Sequence, residues 1–524
     1  MTFTFDLVDQ PWLPCRRGPG QALEEVSLSE ALMRAHDFQE LMGDNPLVTV
    51  AAHRLLLAIL HRCFGPADAK AWGALWRGGR FPAEPIQKYL DAWRHRFDLF
   101  HPERPFYQAP LGFDRARSIA CLMFQADNNP TLFDHTTTDA PPALRPAEAA
   151  RHILAYQAFD FGGTKSAENG KESPKAAPLN QCATVLVRGA NLFQSLMLNL
   201  HQYAPEHGAP FRFDGTKDAP AWEQADVTRS VDRYPLGYLD ILTYQSRRLL
   251  LKPELSEAGE LVVLSTVLMK GYQVPEGHKW QGRETMVPFR RNLKAKSADD
   301  PWPPVKFMEG RLFFLDSLAL VQSASADAKP PMTINWLREL MAEGYLEEAQ
   351  VLPVDVLGFT VYRAKPLFWK HERFPLPLVL LNSEVLVEGL KEMLEASETG
   401  GKAVRRAVDF AAKLLLAPTA DQDNGRQPDR SKVGRLADSM SPEASYWSLL
   451  EPEFHRHVLD LSRSKDDEID SLLDRWFLQV EVAARRSFDE GLRSLDVSGR
   501  SLKAAARGRQ TLERELRSLQ KTEV

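Results

Sequence analysis

Residues 27–65 read SLSEALMRAHDFQELMGDNPLVTVAAHRLLLAILHRCFG, and the order of events in this stretch decides the fold. Ser27 followed by Glu30 makes a capping box, which opens an amphipathic run. Gly43 stops that run. Pro46 then suits the first position of a second helix, because its missing N–H is unsatisfied there in any case. The body of this second helix is apolar on nearly every face up to Gly65, the pattern of a helix buried all round. His53, His61 and Cys63 lie on it, but His53 and His61 lack the i, i+4 spacing of a shared metal site and are expected as core histidines.

Around this segment the chain is mixed. Upstream, MTFTFDLVDQPWLPC alternates and then turns at Pro11 and Pro14, as a short strand and turn would. Downstream, PIQKYLDAWRHRFDLF fits a helix and HPERPFYQ a Pro-rich aromatic loop, and beyond Cys182 come β-prone runs such as ELVVLSTVLMKGY and the helix NLFQSLMLNLHQY. From about residue 380 the strand signals nearly vanish. SEVLVEGLKEMLEAS, GKAVRRAVDFAAKLLLA, SPEASYWSLLEPEFHRHVLDL and DEIDSLLDRWFLQVEVAARRSFDEGL read as helices, TADQDNGRQPDRSK as a polar break, and a basic tail helix follows from Ser501. The expected fold class is α+β, with a mixed α/β domain over 1–370 and a C-terminal helical bundle over 380–524.

With 524 residues the chain exceeds one ordinary core, and 44% apolar with 26% charged residues describes a globular protein. A net charge of −5 excludes a surface coated with nucleic acid but leaves room for a local basic groove. Cys15, Cys63, Cys121 and Cys182 are dispersed, which fits a reduced, cytoplasmic compartment. The N-terminus lacks the pattern of a secretory signal, and no run of eighteen uninterrupted apolar residues occurs, so no membrane association is expected.

Catalytic patterns are weak. FDFGGTKSAENGK (159–171) ends in Gly170-Lys171, but Glu172 stands where a nucleotide-binding P-loop needs Ser or Thr, and Lys165 where it needs Gly. What remains is a flexible loop with Gly162, Gly163, Lys165, Lys171 and Lys175, suited to close backbone approach and an anionic partner. DNNPTLFDHTTTDA groups Asp134, His135 and Asp139, which a metal-dependent nuclease could use. It matches no known metal-ligand spacing, so no metal and no cofactor is expected. His455 and His457, two apart on a helix, are expected at the surface. Binding features are stronger: Arg290, Arg291, Lys294, Lys296 and Lys306 cluster beside a Pro-Trp turn, and the turn RAKP (363–366) separates two aromatic-rich runs like a hairpin tip.

Taken together, FDLVDQPWLP, the segment 27–62, the HPERPFYQ loop and the Pro-Trp segment near residue 301 resemble the large subunit of the type I-E CRISPR surveillance complex, the CasA family of Cascade. The resemblance implies a mixed α/β N-terminal domain, a C-terminal four-helix bundle and a subunit with no chemistry of its own. It implies recognition of the protospacer-adjacent motif in double-stranded target DNA, strand separation, contact with the other Cascade subunits and with CRISPR RNA near the 5′ end of the guide, and recruitment of a helicase-nuclease. The loop holding Asn129, Phe133, Asp134 and His135 is similar to the family's docking loop. Gly162 and Gly163 match its glycine loop, with Lys165 as a reachable cation. A basic finger lies within Arg290 to Lys296, and the duplex-entering wedge corresponds to Arg363, Ala364, Lys365 and Pro366, with Lys365 where the best-known pattern has Gln. Two rivals are a metal-dependent nuclease built on Asp134, His135 and Asp139, and a protein-only scaffold.

Overall fold

A computed structural model describes residues 3–124, 142–167, 170–203, 218–275, 284–291, 302–322, 328–362, 365–417, 428–440, 442–493 and 495–519. Its fold is mixed helix and sheet with a helical C-terminal region. Two compact units form. The first comprises 1–309, 322–347 and 352–373, and the second 310–321, 348–351 and 374–524. The sequence reading kept all of 1–370 together. Residues 310–321 group instead with the C-terminal helices, because Arg311 pairs with Glu398 (3.1 Å) and Phe314 packs on Phe454 and Trp447.

In the first unit the central helix is Pro46–Cys63. The Asn45 side chain accepts from Leu47 N (3.0 Å) and Val48 N (3.1 Å), satisfying two of the donors that open a helix, and Pro46 takes the first turn. This helix is long and apolar enough to cross a membrane by composition alone, yet 83% of it is buried inside the protein. It is a core helix. The preceding run behaves differently from expectation. Ser27 does cap, accepting from Glu30 N at 3.1 Å, but the helix ends at Met33, and Glu40–Leu41 becomes a strand against Leu13–Arg16. Phe38 and Leu41 are both fully enclosed, and Leu41 and Glu40 pair with Cys15 and Arg16 across the strand.

The sheet that positions the candidate site centres on Leu261–Lys270. Arg247–Leu255 pairs with it antiparallel, Arg117–Ser118 pairs antiparallel with its middle, and Lys165–Ala167 joins its end in parallel through Met269 and Ser166. Gly170–Glu172 closes the edge by pairing with Lys165–Ala167. A second sheet holds the long strands Val351–Tyr362 and Lys365–Pro377, with Thr184–Val187 against the former. The two long strands form the hairpin expected around RAKP. Arg363 and Ala364 lie outside the described residues, as do the side chains of Lys365 and Pro366.

In the second unit Glu384–Leu415 packs on Pro442–Leu461, Ile469–Gly491 and Gly499–Leu516. Glu384–Leu415 is a single 32-residue helix where the sequence reading expected two helices parted at Gly400-Gly401. The glycines are there for packing. A Cβ on Gly400 would stand 2.4 Å from Tyr446 Oη and 2.6 Å from Val480 Cγ1, and one on Gly401 would stand 2.7 Å from Trp447. The short helix Arg430–Ser439 begins at the end of the polar break. His457 is not a surface residue, being buried against Trp476 with Nδ1 bonded to Glu453 O (2.9 Å), and His455 is half-buried beside Phe374 and Phe454.

Candidate nucleic-acid interface

The glycine loop leaves the end of the helix Pro146–Phe159, and Asp160 organises it. The Asp160 carboxylate is 1% exposed, accepts from Gly162 N (3.3 Å) and is ion-paired with Arg247 Nε and with Lys165 Nζ (3.3 Å). Lys165 Nζ also donates to Tyr156 Oη at 2.8 Å. Lys165 is therefore buried, at 8% exposure, and is not the reachable cation that the sequence reading placed there. The reason is electrostatic: a buried carboxylate needs compensation, and the first strand residue after the loop lies within reach of it. Exposed cations nearby include Lys171, Lys175 and Arg115, whose Nη1 donates to Gly170 O (3.3 Å). Gly170-Lys171 is likewise not a loose flank but part of the strand Gly170–Glu172.

The two glycines differ. Both take left-handed backbone, φ +80° at Gly162 and +79° at Gly163. A Cβ on Gly162 would stand 2.6 Å from Pro174 O, so this glycine is required by the protein's own chain packing onto it. Gly163 is exposed and has open space where a Cβ would go. Of the two, Gly163 is the one that presents bare backbone.

Aromatic packing joins three of the sequence-predicted stretches. Phe161, just before the glycines, meets Phe359 of the long hairpin edge-on at 5.3 Å. Phe124, which leads into the segment holding Asn129, Phe133, Asp134, His135 and Asp139, meets Phe161 at 5.6 Å, Phe359 at 6.0 Å and Trp369 at 6.3 Å. The glycine loop, the part of the hairpin next to its tip and the entry to the docking-loop candidate thus share one base. Those five docking-loop and nuclease candidates lie outside the described residues, as do Lys294 and Lys296.

Below its tip the hairpin is held by charge. Asp355, fully buried, accepts from Arg188 Nε (2.8 Å), Arg373 Nε (2.6 Å) and His371 Nε2 (3.3 Å). Burial alone would raise its carboxyl pKa, but the His371 and Arg373 hydrogen bonds and the guanidinium charges outweigh it and hold the group far below the usual carboxylate range. Arg188 reaches His53 Nε2 at 3.2 Å, and the other ring nitrogen of His53 bonds Thr49 O at 2.7 Å, so His53 is the core histidine expected of it. Of the basic finger, Arg290 sits on the strand Phe289–Arg290 beside Ala328–Lys329, and Arg290 and Arg291 are exposed.

Asp160, Arg247 and Tyr156 escaped the sequence reading. Asp160 stands directly in FDFGG and could have been suspected as the cap of a glycine turn, whereas Arg247 comes from a distant strand with no local signal. Among the described residues no group of three or more His, Cys, Asp or Glu is placed to hold a metal. The four cysteines are unpaired by disulfides, and burial pushes the Cys63 and Cys182 thiols up to about 12.

Fold and site define an α+β protein that carries a glycine loop and a long hairpin on one aromatic base, together with a helical bundle. The profile of the CRISPR-associated protein Cse1 family matches residues 6–487. The CRISPR-associated protein CasA/Cse1 of Thermus thermophilus is 34% identical over 526 positions, 98% of each chain. Among solved structures, Thermobifida fusca Cse1 superposes with a TM-score of 0.80 at 25% identity over 98% of both chains. A chain of a CRISPR RNA-guided surveillance complex does so with 0.73 at 20% identity, covering 97% of this chain and 99% of that one, a likeness of fold. The chain belongs to the Cse1 family of CRISPR-associated proteins.

Proposed function

We propose that this chain is the DNA-reading subunit of an RNA-guided surveillance complex acting in the cytoplasm, and that it breaks no bonds itself. It recognises a short motif in duplex DNA through the minor groove, begins strand separation beside it and helps recruit a helicase-nuclease. The observation that carries this reading is the aromatic base of Phe124, Phe161, Phe359 and Trp369, which sets the glycine loop and the hairpin side by side. The fold shared with a chain of a surveillance complex supports the assembly part. The minor groove offers a degenerate acceptor pattern, so bare backbone at Gly163 suits a reader that tolerates several related motifs. Unstacking one base step costs a few kcal/mol, which phosphate contacts around a rigid hairpin can offset. Pairing with the guide then supplies sequence specificity, by analogy with single-protein effectors.

The experiment is duplex capture by the complex assembled with variant chains. Gly163→Ala places a Cβ on the presented backbone and should weaken capture roughly tenfold, about the effect of one good contact. Gly170→Ala is the control, since Gly170 also has positive φ (+109°) and open space but lies on the strand outside the turn. Lys365→Ala should weaken capture while the short RNA and other subunits still co-purify. Undiminished capture with both Gly163→Ala and Lys365→Ala would reject the assignment.

A further inference from the structure

The glycine turn is pinned on both sides of its outward-facing residues. On one side Gly162 is buried, donates to Asp160 Oδ2 (3.3 Å) and has the chain at Pro174 folded against it. On the other side Lys165 starts the strand that pairs with Gly170–Glu172, and its Nζ is turned inward onto Asp160 Oδ1 (3.3 Å) and Tyr156 Oη (2.8 Å). Gly163 and Thr164 lie between these anchors, and both are exposed. The turn thus presents two residues at a fixed place, with little ordering left to be lost when a partner arrives.

Those two residues offer different chemistry. Gly163 gives bare backbone. Thr164 carries the one side-chain acceptor among residues 161–165, since Phe161 is aromatic, 162 and 163 are glycine, and the Lys165 ammonium donates only. Among the described residues no hydrogen bond engages the Thr164 hydroxyl. Its β-branched side chain has few χ1 rotamers, so fixing the backbone on both sides also limits where the oxygen points. In the minor groove every base pair shows acceptors, and the guanine 2-amino group is the single donor. A side chain that accepts is therefore what separates G·C from A·T there.

We propose that Thr164 is the specificity-determining residue of the glycine turn: its Oγ1 accepts from the 2-amino group of a guanine in the recognised motif and so favours G·C at one position. The inference rests on the minor-groove reading above and adds to it the residue that chooses between base pairs.

Duplex capture by the assembled complex tests it, with each guanine of the captured motif replaced in turn by inosine, which keeps the major-groove edge and lacks the 2-amino group. At one position inosine should weaken capture by the wild-type complex about fivefold more than it weakens capture by Thr164→Val, roughly the worth of one hydrogen bond. Comparing the two complexes cancels the weaker pairing of inosine itself. Thr164→Val keeps the branched shape without the oxygen and should lose about fivefold on the guanine duplex, and Thr164→Ser should restore both values. An inosine effect of equal size in both complexes at every position, a captured motif without guanine, or undiminished capture by Thr164→Val would overturn the proposal. Gly163→Ala in the same assay separates the two readings. A loss there with Thr164→Val undiminished removes Thr164 alone, whereas undiminished capture by both rejects the glycine turn as the reader.

Discussion

Arg247 is fully buried and depends on Asp160 for its compensating charge. Asp160→Ala would strand it, together with Lys165, in the interior. The expected cost is about 3–5 kcal/mol, the usual penalty for breaking a buried pair from one side, measured as a lowered denaturant midpoint. A loss under about 1 kcal/mol would show that the glycine turn does not rely on this carboxylate. The buried histidines make a second prediction. Burial, reinforced by the Arg188 charge, pushes His53 down to about 3, and burial pushes His201 down to about 4 and His61 well below its ordinary value. In the unfolded chain all three titrate near 6.5, so that state takes up protons first as pH falls. Stability is complete above about pH 6.5 and declines below it, by up to about 4 kcal/mol per pH unit for three such groups. Asp355 does not counteract this: its folded pKa is depressed, so its contribution persists until pH falls below the unfolded carboxylate range. Urea midpoints at pH 7, 6 and 5 check the slope. Of these residue roles, the core position of His53 was legible from the apolar run around it. The burial of Lys165 was not, because it depends on a carboxylate whose other partner lies on a distant strand.

At the scale of elements, caps and proline positions were legible, whereas glycine was ambiguous. Asn45-Pro46 marks the start of the central helix as a sequence reader expects, because those donors and that ring act locally. Gly400-Gly401 reads like a break, and only the tertiary neighbours Tyr446, Trp447 and Val480 reveal that the helix runs through so that rings can approach its backbone. The two meanings make opposite predictions. Alanine favours a helix interior over glycine by about 1 kcal/mol. Gly434→Ala, in the short helix Arg430–Ser439 with open space around it, should therefore stabilise the protein by about 0.5–1 kcal/mol. Gly400→Ala should instead destabilise it by about 1–2 kcal/mol, since overpacking outweighs propensity. Thermal unfolding of the two single variants decides the matter, and a gain at Gly400 would reject the packing account.

Across the whole molecule, a net charge of −5 means that the proposed capture of DNA would have to rest on a few placed cations and on partners within a complex. Lys171 is exposed beside the glycine turn, so Lys171→Ala should reduce the salt dependence of duplex capture by the assembled complex, lowering the log–log slope by about 0.9. An unchanged slope would place the DNA elsewhere. The aromatic base bears on how such a surface tolerates change. Phe124, Phe161, Phe359 and Trp369 come from three stretches apart in the chain, yet they register these segments against one another. Spacing between the segments is then set by ring against ring and not by the length of chain beyond. The three segments therefore share one packing unit, and truncating one of its rings, such as Phe359→Ala, would disturb all three together.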